Sequence, residues 1–283
     1  MVHADGSQSA LLVSASPLWS KPNKPNEFLG CVITLTDITQ LKRAEAALFR
    51  QAQELARSNS DLRQFAYSAS HDLREPLRQL AVFSELIQKR FGQGLGPEGG
   101  DLIQHAVDSA HRMEKLLQDL LAYIQAADAP QQASANTDAN EVVKKVLANF
   151  EAKIAETGAR IDCDPLPVLG VHEVHLVQLF QNLISNALKY RSEAAPEIHI
   201  RAERVCDAWQ LSVEDNGIGI VADYRKQIFG LFQRLHGGGK YSGSGIGLAI
   251  CQKIVQRYEC RIWVESQLGH GSKFFFTLPG GKP

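Results

Sequence analysis

A long α-helical hairpin followed by an α+β sandwich is the fold class that this 283-residue sequence predicts. Three observations predict it. Leu41, Leu48, Leu55 and Leu62 recur every seven residues. Two further apolar stripes of helical spacing flank a glycine-rich break at residues 92–100. Beyond residue 137, helical stretches interleave with β-prone runs that come in pairs, the pattern of one antiparallel sheet with helices on one face.

Residues 1–38 read as strands. Residues 10–16 form a short β-prone run, residues 21–26 are turn-rich, and residues 28–35 are β-branched and apolar. Two strands alone are marginal in water, so this hairpin pairs with something outside the segment or is a remnant of a larger sheet.

The next element is a helix. A strict seven-residue repeat keeps one narrow stripe facing a partner helix, which is the signature of a coiled coil. Ala52 and Ala66 fall at the second seam position, Asn59 is a polar residue of the kind that fixes register, and Ala69 continues the first seam. The alternative is a single amphipathic surface helix, but between Leu41 and Leu62 the chain offers no other core. The apolar pattern runs on through Leu73, Leu77, Leu80, Phe83 and Ile87, past His71. After the glycine-rich break a second stripe follows: Ile103, Ala106, Ala110, Met113, Leu117, Leu120 and Ile124. Two such helices form an αα-hairpin, and pairing two hairpins into a dimeric four-helix bundle would bury the stripes that one hairpin leaves open. The expected organisation is strands at 1–38, a coiled-coil helix at 39–65, the hairpin at 66–126, a linker at 127–136 and an α+β domain at 137–280. In that last part, residues 141–156, 174–190 and 246–258 read as helices, and 197–205, 209–214, 261–266 and 273–278 as strands.

Composition narrows the function. Formal net charge is −1, so no global basic field points to nucleic acid or an anionic membrane. Cys31, Cys163, Cys206, Cys251 and Cys260 stand apart, without CxxC pairs or zinc-ligand spacing. No apolar run approaches the ~20 residues that span a bilayer. The start lacks the features of a signal peptide. These readings predict a cytoplasmic protein in a reducing compartment.

The glycines come next. Asp215-Asn-Gly217-Ile-Gly219 follows a strand, and Gly243-Ser-Gly245-Ile-Gly247 opens a helix. Glycine allows close backbone approach to a ligand, and a helix N-terminus presents free N–H groups to phosphate. Any one cluster could equally be a simple turn. Neither a dinucleotide fingerprint nor a Walker A loop fits: residues 243–247 are not GxGxxG, and Lys240 is followed by Tyr241. Asn182, Asn186 and Lys189 share one helix face. Amide oxygens can ligand Mg²⁺ and lysine can neutralise phosphate. Asparagine inside a helix is locally unfavourable, and such a conflict points to function.

Taken together, these segments resemble the sensor histidine kinases of two-component systems, in the phytochrome-like, PAS-linked variant. Residues 65–77, Phe-Ala-Tyr-Ser-Ala-Ser-His71-Asp-Leu-Arg-Glu-Pro-Leu, resemble the phosphoacceptor box. Residues 182–190 resemble the N box, 215–219 the G1 box, 228–235 the F box and 243–248 the G2 box. Residues 11–47 resemble the last strands of a PAS domain and its exit helix. The order and spacing match over residues 39–280. The resemblance implies a Bergerat-type ATP-binding sandwich, ATP and Mg²⁺ as ligands, a homodimer, and a response regulator receiver domain as partner in a phosphorelay. Residue by residue, it implies that Asp215 accepts a hydrogen bond from the adenine amino group. Gly217, Gly219, Gly243, Gly245 and Gly247 would let the ATP lid wrap the phosphates. Asn186 would ligand Mg²⁺, Asn182, Lys189 and Arg234 would contact phosphate or the metal's water shell, and Tyr190 would lie by the nucleotide.

Related ATPases of this fold carry a glutamate at the position of Asn182. Asparagine cannot act as a general base, so the site is expected to hold ATP without rapid hydrolysis and leave the phosphoryl group for His71. Asp72 is expected to hold the second ring nitrogen of His71 and take up its proton. Pro76 lacks an amide and should loosen the helix just beyond. Many relatives place Thr or Asn four residues after the phosphoacceptor to position water for phosphatase action; here that residue is Glu75, which argues against strong phosphatase activity by that route. The competing readings are a nucleotide-binding scaffold that never transfers phosphate, and an ATPase that releases phosphate steadily.

Overall fold

The computed structural model describes residues 9–19, 28–91, 94, 96–126, 136–233, 235 and 243–281, in two compact units, Met1–Phe65 and Ala66–Pro283. In the first unit, strand β1 (Leu11–Trp19) pairs antiparallel with β2 (Phe28–Asp37), Leu11 lying opposite Asp37. The ribbon leaves Leu12, Val13, Val32, Ile33 and Leu35 exposed, so neither face has a core among the described residues. Helix α1 (Thr39–Phe91) starts where the ribbon ends. Asp37 Oδ1 accepts from the backbone N–H of Thr39 at 2.8 Å and from its hydroxyl at 2.6 Å, satisfying donors that a helix start leaves open. Leu41, Leu48, Leu55 and Leu62 are 65%, 66%, 71% and 66% exposed, so the seven-residue seam has no partner among the described residues.

In the second unit α1 continues unbroken through Pro76, and α2 (Gly96–Gln125) returns antiparallel to it. Gln88 Nε2 donates to Gln104 Oε1 at 2.7 Å, and His111 Nε2 lies 3.1 Å from Glu85 Oε1. Ser70, Ala81 and Ser84 are buried on α1, and Val107, Ala110 and Leu121 on α2. The expected stripe on α2 is therefore displaced: Ala106 and Met113 are exposed, and Val107 takes the inside position. On α1 the expected apolar residues Leu73, Leu80, Phe83 and Ile87 stay exposed, while a face of smaller side chains is covered. Helix α2 also starts inside the expected glycine-rich break, because Pro97 suits a first turn, where the amide has no helical partner.

The expected linker at 127–136 lies outside the described residues except for Asn136, which opens strand β3 (Asn136–Asp138). The single helix expected at 141–156 is two, α3 (Ala139–Asn149) and α4 (Glu151–Thr157). Phe150 leaves helical geometry at φ −106°, ψ 6° and packs against the core instead. Strands β4 (Arg160–Cys163) and β5 (Val168–Gly170) are short; β5 pairs with β3. Helix α5 (Glu173–Lys189) precedes strands β6 (Glu197–Val205) and β7 (Ala208–Asp215), and α6 (Gly247–Arg257) precedes β8 (Ile262–Ser266) and β9 (Ser272–Pro279).

The main sheet runs β4-β6-β7-β9-β8. The β4–β6 pair is parallel, so the sheet is mixed rather than wholly antiparallel. Alternation fixes its inner face: Ser272, Phe274, Phe276 and Leu278 of β9 are buried, with Ile198 and Ile200 of β6. Phe180 of α5 meets Phe276 edge to face at 5.9 Å. This core fixes the C-terminal half of α5, the end of β7 and the start of α6, the three places where most of the residues expected to bind nucleotide lie. Among the described residues no helix is long and apolar enough to cross a membrane.

Candidate active site

An open cleft is lined by Asn186 of α5 and Tyr190 just after it, Asp215 from the end of β7, and Gly219 from the loop that follows. Its walls are Ile218, Ile220, Ile228, Leu235, Leu248 and Phe274, with Gln233 and Ser272 adding polar groups. A mostly apolar slot with a few placed polar groups suits a flat heterocycle.

Asp215 is the slot's acid. Its Oδ1 accepts from the backbone N–H of Gly217 at 2.9 Å and of Ser272 at 3.3 Å. Burial pushes its carboxyl up to about 6, only partly offset by those two bonds, with Glu214 adding to the rise. The loop after Asp215 is held from three sides. Ile218 donates to the Tyr190 carbonyl at 2.9 Å, Gly269 donates to the Ile218 carbonyl at 2.8 Å, and Ile220 donates to Ser266 Oγ at 2.8 Å. Gly219 has φ 72°, and a side chain there would overlap the carbonyl of Gln267; Gly217 likewise abuts the Tyr190 carbonyl. Asn216 braces the loop from the other side, accepting from Glu197 N–H at 2.9 Å and donating to the Ala195 carbonyl at 3.0 Å.

The remaining expected residues form the cleft's edge. Asn182 sits one turn before Asn186, against the start of α6: a Cβ on Gly247 would lie 2.9 Å from Asn182 Oδ1. Asn182 Nδ2 is buried without a hydrogen bond among the described residues. Its neighbour is the Cys251 thiol, which burial pushes up to about 12 against an opposing contribution from Asn182. Sulfur is too weak an acceptor to satisfy that amide. Lys189 Nζ donates to Tyr190 Oη at 2.8 Å, and a Cβ on Gly243 would lie 2.6 Å from the same ammonium. Gly245 packs on the backbone of Phe232 and Gln233. Thus Gly243 and Gly247, but not Gly245, each abut a polar side chain of helix α5. Arg234 lies outside the described residues.

His71 and Asp72 are elsewhere in the same unit, on α1. The His71 side chain is 69% exposed, and its Nδ1 lies 3.3 Å from Asp72 Oδ1. Glu75 is exposed one turn further on.

Sequence reasoning missed Ser272 and Gly271, which act through the backbone of the β8–β9 turn, and the apolar walls. The signal available for the first was the run Gly269-His-Gly271-Ser272 directly before a strand.

Two family models match the chain. The His Kinase A (phospho-acceptor) domain covers residues 61–127, and the histidine kinase-, DNA gyrase B-, and HSP90-like ATPase covers residues 171–282. Cyanobacterial phytochrome A of Nostoc sp. is 48% identical over 272 residues, 93% of this chain and 35% of that protein. Phytochrome-like protein Cph1 of Synechocystis sp. is 43% identical over 249 residues, 85% of this chain and 33% of that protein. The chain thus spans about a third of the length of these relatives. Adaptive-response sensory kinase SasA of Thermosynechococcus vestitus is 34% identical over 257 residues, 85% of this chain and 66% of that protein. Among solved structures, full-length ShkA in complex with AMPPNP superposes with a TM-score of 0.61 at 24% identity, covering 78% of this chain and 46% of that one, a likeness of fold.

Proposed function

Because the chain belongs to the sensor histidine kinases, of the phytochrome-like type, we propose that it binds ATP in the cleft at Asp215, transfers the γ-phosphoryl group to its own His71, and passes it on to an aspartate of a separate response regulator. The observation that carries this reading is the exposed ring of His71, held by Nδ1 at 3.3 Å from Asp72.

That contact leaves Nε2 as the free nitrogen. With the Nδ1 proton directed at Asp72, the Nε2 lone pair points outward and attacks the γ-phosphorus. The Nε2–P bond forms as the bond from phosphorus to the β-phosphate oxygen breaks, and ADP leaves with that electron pair. The ring would become cationic, and Asp72 takes or shares the Nδ1 proton. In the cleft, Asp215 accepts from the adenine amino group, and Tyr190 and the apolar walls hold the base. Lys189, Arg234, Asn182 and the loop glycines 217, 219, 243, 245 and 247 attend the phosphates.

The residues fit a magnesium ion that arrives with the nucleotide. Among the described residues no group of three or more His, Cys, Asp or Glu could hold a metal, so the protein offers amide oxygens, Asn186 foremost. Mg²⁺ is held in just this way by few protein ligands, water and substrate phosphates, and it would neutralise charge on the transferred group. The buried Nδ2 of Asn182, which has no hydrogen-bond partner among the described residues, supports a polar ligand beside it. With an amide rather than a carboxylate at that position, water is not activated and hydrolysis stays slow.

The remaining parts of the reading concern organisation. The exposed seam of α1 supports a homodimer joined by a coiled coil over 39–65 and a four-helix bundle over 66–126. The β1–β2 ribbon is the closing part of a PAS-like domain, and residues 137–280 are the ATP-binding domain. Glu75 makes phosphatase action on the regulator weak. The deciding experiment is incubation with γ-labelled ATP: the wild-type chain is expected to gain acid-labile, base-stable phosphate, and His71→Gln to gain none. Label retained by that variant would overturn the reading.

A further inference from the structure

Ser244 stands between Gly243 and Gly245, just ahead of α6. Its hydroxyl donates to Asp119 Oδ2 at 2.5 Å and accepts from the backbone N–H of Ile246 at 3.3 Å. Asp119 belongs to α2, the second helix of the hairpin. Its other oxygen is paired with Lys115 Nζ at 3.2 Å, and its side chain is only 16% exposed. The contact is not isolated. Leu116, Leu120, Ala122 and Tyr123 of α2 pack against the core of the ATP-binding domain, with Ala126 buried in it. The end of the hairpin therefore lies on the sandwich, and a carboxylate is fixed beside the amino end of α6.

That end of α6 is where an anion is favoured. Its first amides have no helical acceptor, its dipole is positive there, and Ile246 supplies no side-chain cap. Asp119 is the anion the fold provides, carried there by Ser244. Nucleotide phosphates would bring several negative charges to the same loop, against Gly243, Gly247 and Lys189. A carboxylate and a polyphosphate brought to the same loop repel each other.

We propose that the Asp119–Ser244 hydrogen bond is an autoinhibitory clasp: it holds the ATP-binding domain on α2 with a carboxylate at the phosphate end of the nucleotide site, and nucleotide binding and the clasp oppose each other. The inference rests on the reading of the cleft as a nucleotide site. Coupling between two sites is reciprocal. Occupying the cleft therefore weakens the hold on α2 and frees the domain to move toward His71, while breaking the clasp tightens the nucleotide.

The test uses the full chain. ATP and ADP affinities with Mg²⁺ are measured by calorimetry for wild type, Asp119→Asn, Asp119→Ala, Ser244→Ala and the Asp119→Ala/Ser244→Ala double variant. Each single variant is expected to bind about 5–20-fold more tightly, within the usual span of such couplings, and the double variant no tighter than the singles. Hydrogen exchange on the wild type provides a readout that needs no variant: amides of residues 116–123 are expected to exchange faster when a non-hydrolysable ATP analogue is bound. Unchanged or weaker nucleotide binding in the variants, or unchanged exchange in that segment, overturns the clasp. Failure of wild type and variants alike to bind ATP overturns the nucleotide reading, and the clasp falls with it.

Discussion

Gly271 and Asp215 meet backbone to backbone, so closely that a Cβ on Gly271 would overlap the Asp215 carbonyl oxygen. Gly271 also has φ 86°, a conformation that costs an L-residue roughly 1–2 kcal/mol. The next amide, that of Ser272, donates to Asp215 Oδ1. The β8–β9 turn thus sets both the height and the orientation of the acid. Gly271→Ala is expected to destabilise the ATP-binding domain by about 2 kcal/mol or more, as strained left-handed positions and backbone overlap do, and to lower ATP affinity further than the fall in stability accounts for. Urea unfolding beside calorimetric ATP titration checks both effects.

Asp215 is costly to keep ionised. With its carboxyl at about 6 against an ordinary 3.8, the folded state holds its proton more tightly than the unfolded state, so stability declines as pH rises between those values. Asp215→Asn removes that burden. It is expected to raise stability at pH 7 by a few kcal/mol, since each pH unit of difference is worth about 1.4 kcal/mol. The same variant is expected to lose ATP affinity by an order of magnitude, and to lose preference for adenine over guanine nucleotides. Wild-type affinity is expected to fall as pH drops through about 6, where the acceptor becomes protonated, whereas the variant stays flat. Affinities measured from pH 5 to 8 decide it; a flat wild-type profile would count against Asp215 as the adenine acceptor.

The parts of the site that were legible in the sequence are those where side-chain chemistry conflicts with local structure. Asn182 and Asn186 are poor helix interior residues, and the glycines at 217, 219, 243, 245 and 247 stand at element ends, so both stood out. Gly271 and Ser272 did not, because they serve through φ and a backbone N–H, which any turn could use. The walls at Ile218, Ile228 and Phe274 look like ordinary core. In the fold, α5, β6, β7, α6 and β9 were readable from period and length. The strands β3, β4 and β5 were not, because each is short and its pairing is long-range. The break at Phe150 was hidden because helical period continues across it. On α1 the leucine seam was plain, while the face that is covered, with Ser70, Ala81 and Ser84, carries no apolar signal.

A second buried titrating group lies away from the cleft. His175, at the start of α5, is 5% exposed, and its Nδ1 lies 2.7 Å from Tyr258 Oη at the end of α6. That hydroxyl accepts from the His172 N–H at 3.0 Å, which leaves its own proton available to Nδ1 of a neutral His175 ring. Burial, with Arg257 and His172 adding, pulls the imidazole down to about 4 from its ordinary 6.5. The unfolded chain takes up this proton below 6.5 while the folded chain refuses it until about 4. Stability is therefore expected to fall by roughly 3 kcal/mol as pH is lowered across that window, and to change no further from this group below it. His175→Phe should remove that share of the pH dependence, measured by urea midpoints at pH 7, 5.5 and 4.5. An unchanged profile would show that another group controls it.

The apolar seam of α1 carries the last prediction. Leu41, Leu48, Leu55 and Leu62 are each at least 65% exposed, and beyond them Leu73, Leu80, Phe83 and Ile87 continue the exposed stripe past His71. Burying a large apolar side chain of this kind contributes about 1.5–3 kcal/mol, so eight such residues from each of two chains can offset the cost of association. Leu55→Lys, which would place like charges opposite each other in a parallel pair, is expected to weaken dimerisation by at least tenfold. Leu55→Ile, which keeps the volume, should leave it nearly intact. Leu55 is far in sequence from the nucleotide cleft residues, and ATP affinity should not change in either variant. Sedimentation equilibrium of the two variants and the wild type gives the dissociation constants. A monomeric wild type, or a lysine variant that dimerises as well as the isoleucine one, would mean that the seam meets something other than its own copy.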